Sequence, residues 1–245
     1  MKYLDGVSDS DVNKITHENA MRLFHYDPFS VRPREKCTVA ALRSEATDVD
    51  TSLMARNPKH ERKQVFAADL GAIPDKVAVG GDSAGGNLAA VVSQLARDDR
   101  ATQDPPGPLP VLQWLIYPRT DFTAQTRSLS LFAEGFLLTK HDMDWFETQY
   151  LGGSGVEPTD PRISPLLAES LSGLPPALIA VAGFDPLRDE GERYAAALLA
   201  AGTPVDLRSM GSLTHGFANL FPLGGGSAVA TTELVSALRA HLSRV

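Results

Sequence analysis

Apolar and polar positions alternate on two length scales along this chain. Four short runs rich in β-branched and aliphatic residues, about 77–80, 111–117, 177–183 and 205–210, have the length and continuity of strands buried on both faces. Between and after them, 87–97, 188–201 and 228–243 space their apolar residues at helical intervals. Strand–helix alternation of this kind predicts an α/β fold built on a parallel sheet. Upstream, 11–24 carries Val12, Ile15, Ala20, Leu23 and Phe24 at helical spacing, with Ser8 and Asp9 as caps. Residues 46–64 are polar and locally basic and read as a linker. The pattern therefore divides the chain into an N-terminal helical segment and linker, 1–64, and an α/β region, 65–245.

One stretch carries most of the chemical signal. Val77-Ala78-Val79-Gly80-Gly81-Asp82-Ser83-Ala84-Gly85-Gly86-Asn87-Leu88 feeds a short strand into a glycine-flanked serine and out into a helix. That is the strand–turn–helix setting of a nucleophile elbow, in which Ser83 takes a strained backbone conformation and exposes its hydroxyl. The expectation is that Gly81 and Gly85 flank Ser83 because the turn leaves no room for side chains on either side. The helix from Ala84 points its unpaired N–H groups at the place where an oxyanion would form.

A nucleophilic serine needs a base and an orienting carboxylate. Of six histidines, His17 and His25 fall on the N-terminal helix, His60 in the basic stretch, His141 at a helix start and His241 in the last helix. His215 differs, because it lies in a loop directly after a strand, at the sheet edge where active groups gather. Asp185 stands at the tip of the 177–183 strand, where it is either the orienting acid or a helix cap. Asp189 and Glu190 compete for the same role, although carboxylates in a helix's first turn have a simpler reading.

Gly80-Gly81-Asp82-Ser83-Ala84-Gly85-Gly86-Asn87-Leu88, Asp185-Pro186-Leu187-Arg188-Asp189-Glu190-Gly191 and His215-Gly216-Phe217 resemble the bacterial hormone-sensitive-lipase-like esterases of the α/β-hydrolase superfamily. Leu115-Ile116-Tyr117-Pro118 and Asp160-Pro161-Arg162-Ile163-Ser164-Pro165 agree with it, and the resemblance runs from about Val65 to the C-terminus. It implies Ser83 as nucleophile, Asp185 as orienting acid, His215 as general base and the Ala84 N–H as an oxyanion donor. It also implies that the four readable strands are the last four of eight, and that the 128–151 insertion forms part of a cap over the acyl pocket. Read from its residues alone, that insertion is equally an ordinary amphipathic helix covering the sheet, so both readings stay open. The family's His-Gly-Gly-Gly oxyanion loop and its Tyr-Arg-Leu-Ala-Pro-Glu-like stretch have no counterpart here. Separately, residues 3–45 are similar to the closing helix of decarboxylase-type amidohydrolases, without that family's metal ligands.

Composition sets outer bounds. A 245-residue chain, 43% hydrophobic, can bury one sizeable core, and its net charge of −7 makes nucleic acid a poor partner. The single Cys37 excludes an intrachain disulfide and fits a cytoplasmic location. No apolar signal region and no membrane-length apolar run is read, and His17 and His25, eight residues apart, lack the spacing of a helical metal pair. The expected function is a cofactor-free, metal-free serine carboxylesterase acting on a small-molecule ester. The alternative is a non-catalytic hydrolase remnant or interaction module. The resemblance also implies an exposed outer edge on the strand leading to Ser83, which predicts homo-oligomerisation or poor solubility unless residues 1–60 cover it.

Overall fold

Ala177–Phe184 is apolar from end to end and needs cover on both faces, so it organises the domain around itself. The structure, a computed structural model, describes residues 76–244 other than 103, 105 and 106, together with positions 33, 36 and 73. The chain divides after Gln64, and nearly all the described residues belong to the second unit, Val65–Val245. The helix expected over 11–24, the amidohydrolase-like segment 3–45, the linker over 46–64 and Cys37 lie outside the described residues.

In chain order the main elements are β1 (Val79–Asp82), α1 (Ala84–Thr102), β2 (Gln113–Ile116), α2 (Arg127–Leu131), α3 (Lys140–Leu151), β3 (Ala177–Phe184), α4 (Arg188–Ala200), β4 (Val205–Thr214) and α5 (Gly225–Leu242). The four strands form one parallel sheet in the order β1-β2-β3-β4. Successive side chains of β3 point to opposite faces. Ile179 and Val181 pack with Ala89 and Ala90 of α1 and Tyr194, Ala195 and Leu198 of α4. Ala180 and Ala182 pack on the other side with Met210, Phe217, Ala230 and Leu234. Helices thus cover both faces, the arrangement an all-parallel sheet requires.

The strand ends decide where the chemistry falls. Asp82 pairs with Ile116 and Ile116 with Ala180, so β1 and β2 finish at one level. The next backbone N–H groups continue the ladder, Ser83 donating to Ile116 O and Tyr117 to Ala180 O. β3 and β4 run further. Their register goes from Ala182 opposite Met210 to Phe184 opposite Thr214, a bulge that absorbs two extra residues on β4. The sequence reading ends this strand at 210, because Gly211-Ser212 resembles a turn; the bulge instead carries it to Thr214.

The 128–151 insertion folds as α2 and α3 rather than as one helix. Thr139 caps α3 reciprocally: its hydroxyl oxygen accepts from the Asp142 N–H, and the Asp142 carboxylate accepts from the Thr139 N–H.

Candidate active site

Ser83 sits between the end of β1 and the start of α1 with φ +54, a left-handed conformation rare for a residue with a side chain. The turn is tight on one side. A Cβ at Gly81 would lie 2.4 Å from the Gly85 backbone, so no side chain fits there. At Gly85 a Cβ would meet nothing within 4 Å, which corrects the expectation that both flanking glycines are sterically required. Gly86 is the second close approach, with Pro118 Cβ 3.0 Å from where a Cβ would be.

The bulge brings the residues after Phe184 and Thr214 together. His215 Nδ1 lies 2.8 Å from Asp185 Oδ2, and His215 Nε2 lies 2.9 Å from Ser83 Oγ. A carboxylate only accepts, so Nδ1 carries the proton and Nε2 is left to accept from the serine hydroxyl. Asp185 is fully buried and its other oxygen accepts from the Leu187 N–H at 2.8 Å, which fixes the carboxylate's orientation. Ser83, Asp185 and His215, singled out from the sequence, therefore meet in one hydrogen-bonded line. Ala84 opens α1, and its N–H belongs to the first helical turn, where backbone donors have no intrahelical acceptor.

The competing carboxylates go elsewhere. Asp189 accepts from the Ser128 N–H and bonds Arg188; against its burial, these partners hold its carboxyl below the usual range. Glu190 is buried and accepts from the N–H groups of Thr120 and Asp121, both at 3.0 Å. Its burial pushes its pKa up to about 7. Of the other histidines, His241 bonds Asp206 at 3.1 Å and His141 lies on α3, while His17, His25 and His60 fall outside the described residues.

A cavity of about 400 Å³ opens beside Ser83, walled by Leu88, Leu138, Met143, Phe146, Tyr150 and Leu187. α3 supplies Met143, Phe146 and Tyr150 to the cavity wall, and Met143 also packs with Leu129 and Leu187. One polar pair interrupts the apolar wall. Arg119 Nη2 meets Glu147 Oε2 at 3.0 Å, and the guanidinium lies 4.0 Å from the centre of the Phe122 ring. Asn87 ties this wall to the elbow helix by donating to Arg119 O and Ile163 O.

Sequence reasoning did not reach Tyr117. Its ring centre is 4.5 Å from that of His215, its backbone has φ +38, and its hydroxyl lies 3.4 Å from Asp82 Oδ2. Burial, then the Asp82 charge, raises the phenol's pKa above the ordinary tyrosine value. The one signal in the chain is Pro118, which marks the end of β2 but not the strained turn before it. Among the described residues no group of three or more His, Cys, Asp or Glu side chains is placed to hold a metal, and no helix is long and apolar enough to cross a membrane.

Comparison with known proteins gives this geometry a context. The sequence model of the α/β hydrolase fold matches residues 39–219, a match that begins inside the 1–64 segment. The chain is 76% identical over 177 residues to the carboxylic ester hydrolase LipN of Mycobacterium tuberculosis, covering 72% of this chain and 46% of that protein. It is 39% identical over 182 residues to the esterase LipI of the same organism, covering 74% and 54% respectively. An ester hydrolase from the metagenome of Lake Arreo, solved with a bipyridine phosphonate derivative, superposes with a TM-score of 0.63 at 41% identity, covering 72% of this chain and 54% of that one. The chain spans about half the length of the curated relatives it matches.

Proposed function

Because the chain belongs to the α/β-hydrolase family, we propose that it is a serine carboxylesterase acting on short- to medium-chain acyl esters. The observation that carries this reading is the unbroken line from Ser83 Oγ through His215 to Asp185, with links of 2.9 and 2.8 Å. His215 Nε2 takes the Ser83 proton as Oγ attacks the ester carbonyl, and the carbonyl oxygen becomes an oxyanion facing the Ala84 N–H. Asp185 holds the imidazole tautomer and stabilises its positive charge while it lasts. Collapse breaks the bond to the alcohol oxygen, which leaves with the proton from Nε2. Water, deprotonated by His215, then attacks the acyl-Ser83 ester and regenerates free serine and a carboxylic acid.

The catalytic region in this reading is 65–245, with 128–151 as its cap over the acyl cavity. That cavity, at about 400 Å³, has the size of a small-ligand site. The single Cys37 supports a cytoplasmic location. Among the described residues β1 pairs with β2 alone, which supports association of two chains along the other edge. Light scattering should then report an oligomer, and a monodisperse monomer would count against that part.

The direct test is hydrolysis of p-nitrophenyl acetate and butyrate by the full chain beside its Ser83→Ala variant. Turnover by the wild type that drops at least about 10³-fold in the variant is the expected result. Equal near-background rates in both would leave the remnant reading instead.

A further inference from the structure

Tyr117 directly follows the last paired residue of β2, as Ser83 follows that of β1, and its backbone is strained in the same sense as that of Ser83, with φ +38 against φ +54. A side-chain-bearing residue holds a left-handed conformation only where its surroundings over-determine it, and such residues cluster at functional sites. Here the strain turns an aromatic ring onto the imidazole. The two ring centres are 4.5 Å apart with planes inclined at 54°, and Phe217 packs edge-on against the other part of the Tyr117 ring at 5.2 Å. The hydroxyl end is tied to both sides of the site. Asn219 Nδ2 donates to Asp82 Oδ2 at 2.9 Å and lies 3.5 Å from the Tyr117 hydroxyl, which itself lies 3.4 Å from the same Asp82 oxygen. Asp82 is the residue before Ser83, and Asn219 is in the turn that follows His215.

We propose that Tyr117 is a positioning residue: braced by Asp82 and Asn219, its ring fixes the tilt of the His215 imidazole towards Ser83. The inference rests on the ester-hydrolase reading above, since a fixed tilt matters only where Nε2 must accept and return a proton. The Asp185 and Ser83 bonds hold the two ring nitrogens, and small rotations about Cβ–Cγ tilt the ring and misaim Nε2. The Tyr117 ring, a wall in contact with the imidazole at a 54° tilt, limits that rotation. The brace also joins the end of β1, the end of β2 and the histidine turn, the three pieces of chain whose relative placement sets the Ser83–His215 distance.

The experiment compares the full wild-type chain with Tyr117→Phe, Tyr117→Leu and Asn219→Ala. It reads kcat and KM on p-nitrophenyl butyrate, thermal melting, and the far-downfield proton resonance of the His215–Asp185 hydrogen bond. Tyr117→Leu, which removes the wall, should lower kcat about 10- to 100-fold and leave KM within about twofold, the signature of a misaimed base rather than a lost substrate contact. Tyr117→Phe keeps the wall but gives up the hydroxyl's contacts with Asp82 and Asn219, so it should match Asn219→Ala, on the exposed turn, each costing about 3- to 10-fold by loosening the brace. The downfield resonance should broaden in Tyr117→Leu and Asn219→Ala. Wild-type kcat and a sharp resonance in both would overturn the proposal; should Tyr117→Leu fail to fold, the same result in Asn219→Ala suffices. A wild-type chain inert to esters would sink the esterase reading and the positioning role with it, and a resonance that still broadens in Asn219→Ala would then show only that the brace holds the imidazole. An active chain with wild-type kcat in Asn219→Ala overturns the positioning role alone.

Discussion

Asp185, Asp189 and Glu190 lie within six residues of one another, and the fold gives each carboxylate different company. Asp185 meets His215, Asp189 meets Ser128 and Arg188, and Glu190 ties α4 to the loop after β2 through two backbone N–H groups. Glu190 is the one with a stability consequence, because burial lifts its pKa from 4.5 to about 7. The folded state therefore holds this proton more tightly than the unfolded chain does. Its contribution to stability is full below pH 4.5 and is lost as pH rises through 7. Glu190→Gln keeps an oxygen that can accept from both N–H groups and removes the ionisation. Urea unfolding should show the variant gaining on the wild type by roughly 3 kcal/mol between pH 4 and pH 8. Parallel wild-type and variant stabilities across that range would show that Glu190 ionises in the fold at its ordinary pKa. The three carboxylates were not separable in the sequence, because what distinguishes them is non-local: Thr120 and Asp121 reach Glu190 from seventy and sixty-nine residues away. Ser83 and His215 stood out because their signals are local, a glycine-flanked turn and a loop at a strand end. Tyr117 did not, because backbone strain leaves no mark on residue type.

At the scale of elements, the β3–β4 bulge is what aligns Asp185 with His215, and it depends on a glycine at position 183. A Cβ on Gly183 would stand 2.0 Å from the Gly211 carbonyl oxygen, a backbone atom that cannot swing away, whereas a Cβ on Gly211 would meet nothing within 4 Å. Gly183→Ala must therefore push the strands apart one pair before the triad. Its expected cost is about 1–3 kcal/mol of stability, with a fall in kcat larger than the unfolded fraction explains. Gly211→Ala should be within about 0.5 kcal/mol of wild type with kcat unchanged. Melting curves and turnover of the two variants side by side check this; equal behaviour would mean the bulge does not set the triad. The strands, the helices and their alternation were legible because buried apolar runs and helical spacing are properties of contiguous sequence. The end of β4 was not, since Gly211-Ser212 has turn composition and only pairing with β3 holds it extended. α1 starts at Ala84 itself, because the elbow and not helix propensity sets its first turn.

For the whole molecule the open quantity is how well the oxyanion is held. An acyl-transfer site gains most of its rate from donors aimed at the developing charge, and removing one such donor typically costs about 10²–10³ in kcat. In the proposed mechanism the Ala84 N–H, on the exposed first turn of α1, is the donor for that task, and the sequence contains no His-Gly-Gly-Gly stretch. The hydrogen-bonded line from Ser83 through His215 to Asp185 is in place, so in the proposed mechanism nucleophile activation and oxyanion binding come apart. That separation has a measurable signature. A phosphonate ester that traps Ser83 should still react, because attack on phosphorus needs the activated serine first. Ester turnover should fall short of the 76%-identical LipN of Mycobacterium tuberculosis, assayed beside it, by about 10²–10³-fold in kcat. Such a deficit should lie in kcat rather than KM, since the oxyanion exists only along the reaction path. Parity with that relative would mean that residues 1–75, or a second chain set against β1, supply the missing donors. Dilution then separates the two: donors from the same chain leave specific activity constant, and donors from a partner make it fall with concentration.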